Sequence, residues 1–197
     1  MELLIRVPSI NSPIGALFFL GGIRGVEAAV ILLLVWRYQH RMSPMGLAPE
    51  TLRAGLVRGL IWSAGFGGII LIGFVVCLVL AIDPLAWVRV PLPVGGAGLA
   101  AFYLVGGILS PVAEEIFFRG IVFGFFRRWG FWPAMAISTG VFIAAHLSGT
   151  RIPVTQLVGG VVFVGAYEKT GSLVTPMIIH ILGNLSIFTI ALISCPG

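Results

Sequence analysis

Apolar residues run along this chain in long, nearly uninterrupted blocks, and polar residues gather in the short gaps between them. A helix crossing the hydrocarbon of a bilayer needs about 20 apolar residues, so the blocks can be read as spans. The first covers about Ile14 to Trp36 and contains Arg24 and Glu27, while the second, about Leu60 to Ile82, has no charge. A proline-rich turn region, Asp83 to Pro93, precedes a third stretch from about Val94 to Phe126. At about 1.5 Å per residue that stretch is too long for one straight crossing, and Pro111 is where the pattern predicts a bend or restart. Blocks at about Phe131 to Leu147, Pro153 to Tyr167 and Ser172 to Ile193 complete six predicted spans. The segment from Gln39 to Gly59 mixes Arg with Met, Leu and Pro, which predicts a short amphipathic helix lying in the interface. No internal repeat or low-complexity tract divides the chain. The expected architecture is one all-α domain over residues 1–197, a polytopic transmembrane helix bundle.

Composition narrows the alternatives. Hydrophobic residues make up 58% of the 197 and charged residues 10%, with a mean hydropathy of +1.09. A soluble domain carries about 25% charged residues, so this chain has too few to cover a globule with polar surface. The 27 glycines follow no period, and the two cysteines, Cys77 and Cys195, stand far apart, which removes collagen-like and disulfide-framework classes.

The net charge of +5 would suit a nucleic-acid binder in a soluble protein. Here the basic residues are scattered singly between apolar runs, so they read as topology signals and no nucleic-acid partner is expected. Alternating the loops places Arg37, Arg41, Arg53, Arg58, Arg127, Arg128 and Lys169 on one side and Arg6, Arg89 and Arg151 on the other. The richer side should be cytoplasmic, with both termini outside, in the cell membrane. The first block begins late, holds internal charges and lacks a small-residue cleavage site, so a cleaved signal peptide is not expected. Trp36, Trp87, Trp129 and Trp132 fall near span ends and read as interfacial anchors.

Charge at membrane depth costs from about 2.5 kcal/mol upward, which makes each such residue a functional candidate. The densest case is Ser110 to Gly120, where Glu114 and Glu115 stand side by side and Arg119 follows. Glu115 and Arg119 are four apart, acid before base, so they can pair on one helical face. Glu114 points about 100° away and is left to face a cavity as a general base for water. The plainer alternative is a buried ion network that only fixes helix packing.

Two histidines stand at similar depth, His146 at the end of Phe142-x-x-x-His146 and His180 at the start of His180-x-x-x-Asn184. A solitary imidazole on an apolar helix is usually a packing residue. Together with the carboxylate pair, however, His146, His180 and Asn184 make a water-activating and oxyanion-binding set chemically plausible. Glu114, His146 and His180 could instead hold zinc with an open position, although the HExxH pair of a zinc protease is absent. Ser110, Ser138, Ser148 and Ser186 lack a nucleophile context, so metal-free, glutamate-activated water is the favoured chemistry. Arg24 and Glu27, three apart, read as an intramembrane ion pair. The pairs Gly21-Gly22, Gly67-Gly68, Gly106-Gly107 and Gly159-Gly160 read as close helix contacts.

Glu114-Glu115-x-x-x-Arg119, Phe142-x-x-x-His146 and His180-x-x-x-Asn184 resemble, in order, the three signature motifs of the CPBP intramembrane proteases. That family includes the CAAX prenyl protease 2 enzymes and bacteriocin-processing or immunity proteins. The resemblance covers about Gly95 to Ile190 and extends to Lys169-Thr-Gly-Ser-Leu ahead of the last block. It implies that Glu114 is the base and His146 its partner, that His180 and Asn184 form the oxyanion hole, and that Glu115 and Arg119 support the site. It implies an intramembrane endopeptidase, of a family classed both as glutamic-type without cofactor and as zinc-dependent, working in membrane lipid on a lipidated or hydrophobic C-terminal segment of another protein. A prenylated C-a-a-X tail is the archetype, and a sorting signal or leader peptide is the counterpart for a bacterial host. The rivals are a non-catalytic binding or immunity protein and a small transporter or proton relay.

The linear topology creates one conflict. It puts His180 about eight residues from the cytoplasmic end of its span and His146 about fifteen from its own, depths about 10 Å apart. A shared site requires the boundaries to yield.

Overall fold

The computed structural model describes residues 12–88, 90–147 and 153–194. Arg6, Arg89, Arg151, Ser148 and Cys195, each used in the sequence reading, lie outside the described residues.

Helix α1 (Pro13–Gln39) starts where the Ser12 hydroxyl accepts from the Gly15 amide at 3.0 Å and Pro13 takes the first helical position. Helices α2 (Pro49–Val79), α3 (Gly96–Trp129), α4 (Phe131–Ala145), α5 (Val154–Thr170) and α6 (Val174–Ser194) follow, and the described residues contain no strand. The six apolar blocks thus become six helices. Only α1, α2 with the turn before it, α3 and α6 are long and apolar enough to cross a membrane; α4 has 15 residues and α5 has 17. The chain is an all-α integral membrane protein.

Two expectations are redrawn. The Gln39–Gly59 segment forms no separate interfacial helix, because α2 begins at Pro49 and runs on unbroken. Extending a helix adds one hydrogen bond per residue, whereas breaking it demands a new nucleus. Gly55 and Gly59 belong to this first part of α2, where a Cβ would lie 2.3 Å from the Ser172 hydroxyl and 2.7 Å from Ile178, so the absent side chains seat α6. In the turn at residues 40–48, Met45 and Gly46 instead tuck inward. Met45, 3% exposed, packs with Ile116, Leu173 and Met177.

Nor does α3 restart at Pro111. It continues through two wide π-helical stretches, Val105–Leu109 and Ile116–Phe123, with one α-helical segment, Ser110–Glu115, between them. Proline lacks an amide donor and crowds the preceding turn, and a wider turn there accommodates both defects. The segment so framed holds Glu114 and Glu115.

The depth conflict resolves at the start of α6. Leu173 lies against Gly120, which is seven residues, about 10 Å, inward from Arg127 along α3. Helix α6 therefore begins deeper than α4, and His180 reaches the level of His146.

One end of the bundle is tied together by polar contacts. Arg58 donates to the Thr170 carbonyl at 3.2 Å, Ser172 donates to the Gly46 carbonyl at 3.4 Å, and Arg127 grips Glu168 with two bonds of 2.9 and 2.5 Å. Arg37, Arg41, Arg53, Arg58, Arg127, Arg128 and Lys169 all fall at this end. Of the glycine pairs, Gly21 meets Val105, Gly107 meets Leu185 and Gly160 meets Thr139, while a Cβ at Gly67 or Gly68 would meet no atom of the described residues within 4 Å.

Candidate active site

Glu115 and Arg119 form the expected pair, with Nη1 donating to Oε1 at 3.0 Å, and both side chains are fully buried. Arg119 also donates to the Gly160 carbonyl at 3.4 Å and lies over the rings of Phe142 and Phe163, 4.5 and 5.0 Å from their centroids. These aromatic faces offset part of the cost of holding a guanidinium away from water. Arg119 is sealed behind the site.

Glu115 does a second thing. Its Oε1 lies 2.8 Å from His180 Nδ1. Because that oxygen already accepts from Arg119, Nδ1 must carry the hydrogen, which fixes the tautomer of His180. Phe163 stacks on the same imidazole at 4.6 Å with the planes 23° apart. His146 is fixed in the same manner by its own turn, since Nδ1 lies 2.8 Å from the Phe142 carbonyl, which can only accept. With Nδ1 so engaged, each ring turns Nε2 toward the space between the helices, as an acceptor when that nitrogen carries no proton.

That space is occupied by Glu114, 6% exposed. Its Oε2 lies 3.7 Å from His146 Nε2 and 3.9 Å from His180 Nε2. Its Oε1 lies 3.7 Å from Arg24 Nη2 of α1. The 100° separation of the two glutamates on α3 has sent them to opposite partners, one into the arginine box and one into the histidine cleft. Three acceptors facing each other need hydrogens between them, supplied by a water or by a proton on one Nε2. The gaps exceed direct hydrogen-bond reach and let one water lie within bonding distance of Oε2 and either imidazole.

Asn184 is placed one turn beyond His180 on α6, but its Nδ2 donates to the Gly106 carbonyl at 2.9 Å. It clasps α6 to the first π-helical stretch of α3 and keeps its second amide hydrogen free of that bond. The structure thus brings Glu114, Glu115, Arg119, His146 and His180 into one contiguous cluster, with Asn184 at its edge.

Ligands 2.0–2.2 Å from a tetrahedral zinc ion lie roughly 3.4 Å apart, and the separations at Glu114 Oε2 are 3.7 and 3.9 Å. No group of three or more His, Cys, Asp or Glu among the described residues is arranged to hold a metal ion.

Residues 96–186 match the family described as Rce1-like, type II CAAX prenyl endopeptidase Rce1-like. This segment, a little under half of the chain, is similar to the CPBP/CAAX intramembrane protease family. No curated protein and no solved structure matches the chain.

The Rce1-like segment contains Glu114, Glu115, Arg119, His146, His180 and Asn184, and its family is a peptide hydrolase. The matched segment thus resembles that of a CAAX-type intramembrane endopeptidase. Arg24 and Glu27 lie on α1, outside the Rce1-like segment. Arg24 donates to Glu27 at 2.7 Å as the spacing predicts, but its reach to Glu114 depends on how α1 docks on α3 and has no local signature. The one signal pointing there was its charge at membrane depth.

Proposed function

We propose that this protein hydrolyses a peptide bond near the cytoplasmic membrane face, in a lipidated or hydrophobic C-terminal segment of a membrane-embedded substrate, using a water activated by Glu114. The observation that carries this reading is the convergence of two Nδ1-anchored imidazoles on one oxygen of Glu114. Glu114 Oε2 takes a proton from water, and the oxygen attacks the scissile carbonyl carbon to give a tetrahedral oxyanion. His146 holds that water by accepting its other hydrogen at Nε2. Collapse breaks the C–N bond, and the proton on Glu114 passes to the departing nitrogen. The products are a shortened chain with a new carboxylate and a released peptide with a new amine.

His180 donates to the oxyanion only when Nε2 is protonated, because Nδ1 is committed to Glu115, and Asn184 donates through its second amide hydrogen. Glu115 and Arg119 keep His180 in register. No metal enters this scheme.

The test uses purified protein in lipid nanodiscs, a peptide carrying a prenylated C-a-a-X terminus, and mass spectrometry of the released residues. The wild type should cleave and be indifferent to chelators, and Glu114→Gln should insert and fold yet release nothing. Persistent cleavage by Glu114→Gln overturns the catalytic assignment, and chelator-sensitive activity with bound zinc overturns the metal-free scheme. A variant that alters only binding or flux favours the binding or transport reading. Comparing cellular C-terminal peptides with and without the gene then identifies the natural substrate.

A further inference from the structure

Arg24 is a charged residue on a membrane-span helix, and pairing with Glu27 alone would explain it. Its surroundings show more. Nη1 donates to Glu27 Oε2 at 2.7 Å, Nη2 lies 3.7 Å from Glu114 Oε1, and Nε is sealed from solvent without a hydrogen-bond partner. Gly21, three residues earlier, is buried against Val105 and Leu109 of α3. Positions three apart share a helical face, so the contact that seats α1 also aims Arg24 at Glu114.

The two oxygens of Glu114 are thereby divided. Oε2 faces both imidazoles and Oε1 faces the guanidinium. Donors for a developing oxyanion are scarce elsewhere in the cluster. The Nδ1 hydrogens of His146 and His180 are spent on Phe142 and Glu115, and one amide hydrogen of Asn184 is spent on Gly106. Arg24 keeps several N–H groups and a permanent charge.

We propose that Arg24 is a catalytic residue whose guanidinium stabilises the oxyanion of the tetrahedral intermediate, with Glu27 as the positioning residue that holds its Nη1 side. This rests on the reading of Glu114 as base. When Glu114 takes the water proton it becomes neutral, and the negative charge reappears on the former carbonyl oxygen. A guanidinium at 3.7 Å from Glu114 makes no short bond in the resting site, so little is lost when it turns to the oxyanion. The attraction is therefore greater in the transition state than in the ground state, which is the condition for raising kcat.

The experiment measures kcat and KM on the prenylated peptide for Arg24→Gln, Arg24→Ala, Arg24→Lys and Glu27→Gln, with thermal unfolding of each and Glu114→Gln as control. Arg24→Gln should lower kcat by about 10²–10³-fold with KM changed by less than about threefold, the loss typical of an oxyanion donor. Arg24→Lys should fold and fall by at least about tenfold, since one point donor replaces a fork. Added guanidinium at non-denaturing concentration should restore folded Arg24→Ala, and Glu27→Gln should keep more activity than any Arg24 variant. The proposal is overturned by Arg24→Lys or folded Arg24→Gln within threefold of wild-type kcat, by a change confined to KM, or by Glu27→Gln being as inactive as Arg24→Gln. Failure of guanidinium to rescue a folded Arg24→Ala also overturns it. If Arg24→Gln stays active while Glu114→Gln is dead, only the Arg24 assignment falls; if both stay active, the reading of Glu114 falls as well.

Discussion

Glu115 is enclosed by Arg119 and His180, so removing its carboxylate leaves a guanidinium unpaired among Phe118, Phe142 and Phe163. Breaking a buried pair from one side typically costs about 3–5 kcal/mol. Glu115→Ala should therefore lower the unfolding midpoint markedly, measured by denaturant or thermal unfolding in detergent, and activity should fall with it. Glu114→Gln should behave oppositely. Its contacts are all 3.7 Å or longer, and an amide fills the same volume, so turnover should vanish while the midpoint stays close to wild type. A wild-type-like Glu115→Ala would show that the carboxylate is not the anchor described above. This division was legible in the residues, because helical spacing alone separates adjacent positions by about 100° and joins positions four apart. The direction of each imidazole was not legible. It depends on Phe142 and Glu115 as Nδ1 partners, and those contacts exist only after α3, α4 and α6 pack.

Hydropathy located the helices because apolar block length is a local property, yet it misjudged where they begin relative to one another. The offset of α6 is set by the turn holding Met45, whose side chain fills the space beside Gly120 and Leu173. Met45→Ala should cost about 2–5 kcal/mol as a cavity-forming change. It should also raise KM or lower kcat by letting α6 slide against α3, whereas a stability loss with unchanged kinetics would separate the turn from the site. A second tie joins α3 to α5. The two hydrogen bonds from Arg127 hold the Glu168 carboxyl below its ordinary value, chiefly through the side-chain bond itself. A carboxylate with a depressed folded-state pKa stabilises the fold above its unfolded value, and the contribution fades as pH falls through the folded one. The pair is substantially exposed, so the effect is small and screened by salt. Thermal unfolding followed below the usual carboxylate range should show an acid-side loss that is reduced in Glu168→Gln. Equal slopes in the two proteins would remove this pair as the cause.

At the scale of the whole molecule, scarce charges are sorted into two populations. Five, away from the helix ends on α1 and α3, form one connected chain, from Glu27 through Arg24 to Glu114, and from Glu115 to Arg119 beside it, with His180 near both carboxylates. Arg37, Arg41, Arg53, Arg58, Arg127, Arg128 and Lys169 gather at one end, where the α2, α3 and α5 termini meet. The positive-inside rule predicts one orientation for such a molecule, with the basic end on the cytoplasmic side. Helix α2, with 31 residues, carries the chain from that end to the turn at residues 80–88 on the opposite side. Both Ile82 and Lys169 are exposed at these two ends. In a background with Cys77 and Cys195 replaced by serine, Ile82→Cys should react with a membrane-impermeant maleimide in intact cells. Lys169→Cys should react only after permeabilisation. The reverse pattern would invert the molecule and put the cleft on the outer face. Equal reactivity of both sites in intact cells would mean that α2 does not cross the membrane at all.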